Sequence, residues 1–270
     1  MWQTLLEHCS EERLKKYLTK VAEDKLAAEF MYVANQNVSE SLYQLLSVVE
    51  VSLRNRVHTK LHGKFGTTDW WTASALNIQE FLEHRDRVQW ATSKIYHSTG
   101  IGSKQQVKAD QIVAEVSFNF WTDLFSEELS LILWKDLMDC FPHLPVDGRK
   151  RRKVSKPLNN LARLRNRVMH HEPILFNEDL MPDTHAKGVE LLGWMSPDMA
   201  AWLAKRDRFP EVWAEYQIPL KQMHVWLSAH VAIKKGREEG KPLKPLYAVR
   251  DEEKKKFDVL AAGYLQNAKA

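Results

Sequence analysis

All ten prolines of this 270-residue chain lie at or beyond Pro142, so none interrupts the first 141 residues, which carry long stretches of 3.6-residue hydrophobic periodicity. Proline lacks an amide hydrogen and clashes with the preceding helical turn, so its absence over such a length leaves long helices free to form. The periodicity predicts helices over about residues 10 to 34, 39 to 62 and 76 to 97, a loop around Gly100 to Ser103, and a helical segment or turn from Val107 to Val116. The aromatic stretch Phe118-Asn119-Phe120-Trp121 leads to a further helix over about 127 to 140.

Beyond that point, Phe141-Pro142-His143-Leu144-Pro145 and the basic run Arg149-Lys150-Arg151-Arg152-Lys153 read as a connection to a helix beginning near Ser155 and Pro157. Prolines 173, 182, 197, 210 and 219 then cut the chain into short pieces. Ser196-Pro197-Asp198 is a helix start, with Met199, Trp202 and Leu203 on one face. Another helix is expected over about 220 to 235, and the charged segment from Asp251 is either a docked helix or a frayed tail. No alternating β pattern persists, so the expected fold class is all-α. The expected division is an N-terminal helical segment (1–38), a helical domain (39–205) and a C-terminal helical extension with a charged tail (206–270).

Composition narrows the functional classes. No apolar run approaches the roughly 18 residues of a membrane span, and Met1 to His8 has no basic region followed by an apolar stretch, so a soluble, cytoplasmic protein without a membrane partner is expected. Cys9 and Cys140 are too few and too isolated for a disulfide framework or zinc knuckle and read as reduced packing residues. Neither a GxxxxGK phosphate loop nor a GxSxG elbow occurs, which removes the commonest NTPase and hydrolase readings. Most of the ten tryptophans stand in helical spacing with leucines, which favours core packing over base stacking. A formal charge of +4 and a pI near 8.9 are only mildly basic. The run from Arg149 to Lys153 is either a solvated loop or a local attractor for RNA phosphate.

The chemistry-bearing stretch is Leu164-Arg165-Asn166-Arg167-Val168-Met169-His170-His171-Glu172-Pro173. On a helical wheel Leu158, Leu161, Leu164, Val168, Ala162 and Met169 fall within an arc of roughly 160°, and Arg165 lies inside it. Arg163 and Arg167 fall on the far side. An arginine aimed at a core or a partner subunit must find an acceptor, either a carboxylate or a phosphate. Pro173 disfavours the helical region for Glu172, so the helix should end at His170 or His171. There the C-terminal carbonyls favour a protonated imidazole, which suits proton transfer.

Leu53-Arg54-Asn55-Arg56-Val57 echoes these words, but in that helix Arg56 falls inside the apolar arc and Arg54 at its edge. Glu50, four residues before Arg54, either forms a helical ion pair with it or, near a site, holds an arginine in place. His58 and His62 have the four-residue spacing of metal ligands, yet no third ligand is obvious, and no metal or other cofactor is expected.

Arg165-Asn166-Arg167-Val168-Met169-His170 resembles the Arg-x4-6-His motif of HEPN domains, in the form with a polar residue after the arginine. The wider pattern is similar to the Abi-like (abortive infection) family of that superfamily. Its blocks here are Val49 to Arg56, Trp70-Trp71, Val113 to Trp121, Leu133-Trp134 with Phe141 to Pro145, and Leu161 to Pro173. The resemblance implies a HEPN-like helical bundle with additional C-terminal helices and, for active members, metal-independent RNA cleavage at a homodimer interface. It makes Arg165 the phosphate-binding arginine, Asn166 an orienting hydrogen bonder and His170 the acid or base, with His171, Glu50 and Arg54 in support; the doubled histidine leaves the choice between His170 and His171 open. It also implies phage defence or a toxin-like role, with a neutralising protein or small RNA as a partner. Some members bind RNA or protein without cutting, which is the alternative.

Overall fold

The N-terminal pattern resolves into α1 (Trp2–Cys9), α2 (Glu11–Lys20) and a 41-residue α3 (Lys25–Phe65), in place of the predicted helices over 10 to 34 and 39 to 62. The break falls earlier than expected because Ala22 and Glu23 adopt left-handed backbone (φ 53° and 60°) and the Glu23 amide closes on the Leu18 carbonyl. Asp24 then starts α3, its Oδ1 accepting the Ala27 amide at 2.9 Å. No break occurs at 35 to 38. The buried Asn35 directs its side chain outward from the helix, its Oδ1 accepting the Ile174 amide at 2.7 Å and its Nδ2 donating to the Glu172 carbonyl at 3.2 Å. Its amide therefore does not compete with the helical backbone.

The computed structural model describes residues 2–99, 107–146, 149–177 and 180–267, and all regular elements among them are helical. The predicted loop at Gly100 to Ser103 lies outside the described residues. Following α3 are one-turn 3-10 segments at Trp70–Thr72, Ser74–Leu76 and Gln79–Phe81. Helices α4 (Leu82–Thr99), α5 (Ala109–Glu115), α6 (Phe118–Asp123) and α7 (Ser130–Leu137) come next. The chain continues through α8 (Arg151–Met169), α9 (Leu180–Met195), α10 (Pro197–Ala204), α11 (Phe209–Glu238) and α12 (Lys244–Asn267). The prolines cut less than expected: Pro182 sits in the first turn of α9, where no amide is needed, and the 30-residue α11 runs through Pro219. Ser196 caps α10 as its sequence promised, accepting the Met199 amide at 3.3 Å.

The chain divides into two compact units. One comprises residues 1–42, 171–176 and 207–270. At its centre Phe30 stacks on Tyr216 and meets Phe257 and Tyr264 edge-on, with ring centroids 5.3 to 5.8 Å apart. The charged C-terminal segment is docked: Phe257, Ala261 and Leu265 are buried, and Lys254 pairs with Asp24 at 3.0 Å. The other comprises 43–170 and 177–206. Its aromatic cluster of Trp70, Trp71, Phe81, Phe120 and Trp121 fills one part of the core, as the helical spacing predicted, although Trp90 and Trp202 are exposed. Leu158, Leu161, Leu164 and Val168 bury one face of α8, and Gly188 lets α9 come close to Leu45 and Leu161. No described helix is long and apolar enough to cross a membrane.

Candidate functional site

Helix α8 begins at Arg151, a turn earlier than the sequence predicted, so the basic run is not a loop throughout. Arg151 turns inward, donating from Nη1 to the Phe125 carbonyl and from Nη2 to Glu127 Oε2, both at 3.0 Å. That carboxylate offsets the unfavourable placement of cations at a helix N-terminus. Buried Val154 and Leu158 hold the helix on either side of Pro157. Arg149, Lys150, Arg152 and Lys153 remain exposed, with the Lys153 ammonium 5.5 Å from the Trp194 ring centre.

Arg165 faces inward from α8, as the wheel required, and its acceptor is a carboxylate. Its Nε lies 3.1 Å from Glu50 Oε2 on α3 and its Nη2 3.5 Å from Glu50 Oε1. Glu50 therefore grips Arg165 and not Arg54. The two side chains retain 28% and 15% of their exposure, so the pair is shielded but not dry. Asn166 extends the network, its Oδ1 accepting from Arg165 Nη1 at 3.5 Å and its Nδ2 donating to Asn119 Oδ1 at 3.1 Å. Asn119 was not singled out beforehand; its signal was a lone amide within the run Phe118-Asn119-Phe120-Trp121.

The two histidines separate. His170 is the C-cap of α8, its amide bonded to the Asn166 carbonyl, and its side chain is exposed. Five residues after Arg165, it projects about 140° away from it around the helix axis. His171 adopts left-handed backbone (φ 54°), which ends the helix, and its carbonyl accepts from Arg13 Nη1 at 3.2 Å. It belongs to the unit built from the chain ends, whereas His170 belongs with Arg165 and Asn166.

The echo on α3 has other partners. Arg56 reaches the Cys140 carbonyl at 3.5 Å, and the buried Arg54 Nε has no hydrogen-bond partner among the described residues. His58 Nδ1 accepts from Trp70 Nε1 at 3.1 Å, which fixes the neutral Nε2–H tautomer, and burial holds its pKa below the usual histidine value. Among the described residues no three His, Cys, Asp or Glu side chains are placed to hold a metal ion.

The assembly on α8 is thus a fixed polar clamp of Glu50, Arg165, Asn166 and Asn119 beneath, with a solvated imidazole at the helix end. Of these side chains, imidazole is the type that general acid–base chemistry uses most often. A scan against family models and searches of curated proteins and of solved structures returned no match to this chain.

Proposed function

We propose that the chain is a metal-independent endoribonuclease of the HEPN, abortive-infection kind, acting in the cytoplasm as a homodimer. The observation that carries this reading is the exposed His170 at the end of the helix whose preceding turn is clamped by Glu50, Arg165, Asn166 and Asn119. In the proposed step the ribose 2′-oxygen attacks the adjacent phosphorus and the P–O5′ bond breaks. The products are a 2′,3′-cyclic phosphate and a 5′-hydroxyl. One His170 takes the 2′-hydroxyl proton and a second copy's His170 gives a proton to the leaving 5′-oxygen, so no water is consumed. Arg165 has two of its nitrogens on Glu50, and its role in this scheme is to position the C-terminal turn of α8 through Asn166. A phosphate contact would require it to release that carboxylate.

The same ion pair favours a second reading, a helical RNA-binding or assembly module that does not cut, because a guanidinium satisfied within the chain needs no substrate. Cleavage of total RNA in excess EDTA separates the two. Wild-type protein is expected to leave cyclic phosphate ends, His170→Ala to abolish them and His171→Ala to retain them. Cleavage that persists in His170→Ala removes the assignment, and a folded dimer that leaves RNA intact supports the second reading. Phage defence and a neutralising protein or small RNA partner belong to the same proposal and are tested by toxicity of the wild type, but not of His170→Ala, on expression.

A further inference from the structure

Helix α8 contains seven cations, Arg151, Arg152, Lys153, Lys156, Arg163, Arg165 and Arg167, and no acidic residue. Arg151 and Arg165 turn inward, each onto a carboxylate from another element. The exposed Arg152, Lys156 and Arg163 have no ion pair among the described residues, and with Asn159, Arg167 and His170 they occupy an arc of only about 80° on the wheel. His170 lies five full turns from Arg152, on the same meridian, and the stripe is about 27 Å long at 1.5 Å per residue. At its start it borders a cleft of about 220 Å³ between α8 and α9, where Lys187 is paired with Glu190 at 3.0 Å and Asp183 also lines the wall.

We infer that this exposed face of α8, from Arg152 to Arg167, is a track for the sugar-phosphate backbone of single-stranded RNA, running toward His170. The inference rests on the RNA reading above but not on cleavage. Arg152, Lys156 and Arg163, exposed along one line with no ion pair among the described residues, repel one another, and a polyanion relieves that repulsion, its condensed counterions being released as the phosphates are neutralised. Protein interfaces centre on buried apolar or aromatic anchors, and this arc has none, its remaining position being Asn159. Amides and guanidinium groups along one line suit a backbone without specifying its sequence. The track also changes what the basic run does: Arg152 contributes from within the helix, whereas Arg151 is committed to structure and Lys153 lies beside the arc with its ammonium near the Trp194 ring.

The test uses the full chain and a fluorescein-labelled 2′-O-methyl RNA dodecamer in EDTA, which presents phosphates and cannot cyclise. Three neutralised phosphates give a slope of log affinity against log salt of about −2. Replacing Arg152, Lys156 and Arg163 together by alanine is expected to weaken binding at low salt by at least about tenfold and to flatten that slope. Lysine at Arg152 and Arg163 should retain it. Equal binding by the triple alanine variant, no binding by wild type, or equally tight binding of poly-glutamate overturns the track, the last marking the face as a docking site for an acidic protein. Binding that depends on the stripe without any cleavage leaves the track standing and removes only the nuclease reading.

Discussion

Glu50 on α3 and Arg165 on α8, 115 residues apart in sequence, meet through two nitrogen–oxygen contacts of 3.1 and 3.5 Å. The pair joins the long N-terminal helix to the helix that carries every cation of the proposed track. Both side chains are mostly shielded, so removing one partner strands the other in a poorly hydrated place. Glu50→Ala and Arg165→Ala are each expected to destabilise the fold by about 1.5 to 3 kcal/mol, and the double substitution by clearly less than their sum. Urea unfolding of the four proteins measures the coupling. Additive effects would show that the pair contributes nothing beyond its separate contacts. Arg165→Lys should behave nearer to alanine than to wild type, because an ammonium cannot span both oxygens.

His84 gives the fold a pH dependence of known sign. It is 6% exposed, stacks on Phe81 at 5.0 Å, meets Phe120 edge-on at 5.4 Å, and neither ring nitrogen has a hydrogen-bond partner among the described residues. Burial, reinforced by the Arg87 charge and opposed by Asp123, pushes its pKa down to about 4 from 6.5. Above 6.5 both folded and unfolded chains are neutral at this residue, and its contribution is intact. Between 6.5 and 4 only the unfolded chain takes the proton, so stability falls as pH falls, by about 3 kcal/mol in all. Below 4 both are protonated and the loss stops. His84→Phe keeps the ring packing and removes the titration, so the stability difference between variant and wild type should widen from pH 7 to pH 4. A constant difference would mean that His84 titrates normally in the fold.

The thiols should divide by environment. Burial raises the Cys140 pKa to about 12, which leaves almost no thiolate at neutral pH, while Cys9 is partly exposed beside the Tyr32 hydroxyl at 3.3 Å. Native protein is expected to release one equivalent of thionitrobenzoate from an aromatic disulfide reagent promptly, with the second equivalent appearing only in denaturant. Cys9→Ser should abolish the prompt phase. Two prompt equivalents would contradict the burial of Cys140.

Helix type was legible because apolar spacing is local: the stripes of α3 and α8 and the inward turn of Arg165 all follow from the 3.6-residue period. Boundaries were less so. The α2–α3 turn depends on left-handed Ala22 and Glu23, residues with no intrinsic preference for that conformation, held there by the Leu18 carbonyl and the buried Val21. Asn35, just past the expected end of the first helix, serves Glu172 and Ile174, some 137 to 139 residues away, a partnership no local pattern contains. At the site, the wheel identified Arg165 but left open whether Glu50 forms a helical pair with Arg54 or holds an arginine at a site. Only the placement of α8 against α3 resolves it. Asn119 was hidden because its partner, Asn166, is 47 residues distant.

Gly188 marks where α9 comes nearest to its neighbours. A Cβ built there would stand 2.9 Å from Leu45 Cδ2 and 3.1 Å from Leu161 Cδ2, both buried leucines on α3 and α8. Glycine in the middle of a helix is normally about 1 kcal/mol worse than alanine, so its presence reflects the space available and not the backbone. Gly188→Ala sets that helical gain against a close contact that leucine rotamers can partly relieve, and the two should nearly cancel. Gly188→Val adds two further methyl groups and a β-branch to the same gap, with a smaller propensity gain than alanine's to set against them, and is expected to destabilise the fold by at least about 2 kcal/mol. Because Leu161 lies one turn before Arg165, the valine variant should also loosen the Glu50–Arg165 pair, seen as a smaller coupling in the double-mutant cycle on that background. Thermal unfolding of Gly188→Val at the wild-type temperature would show that α9 does not pack against α3 and α8 at this point.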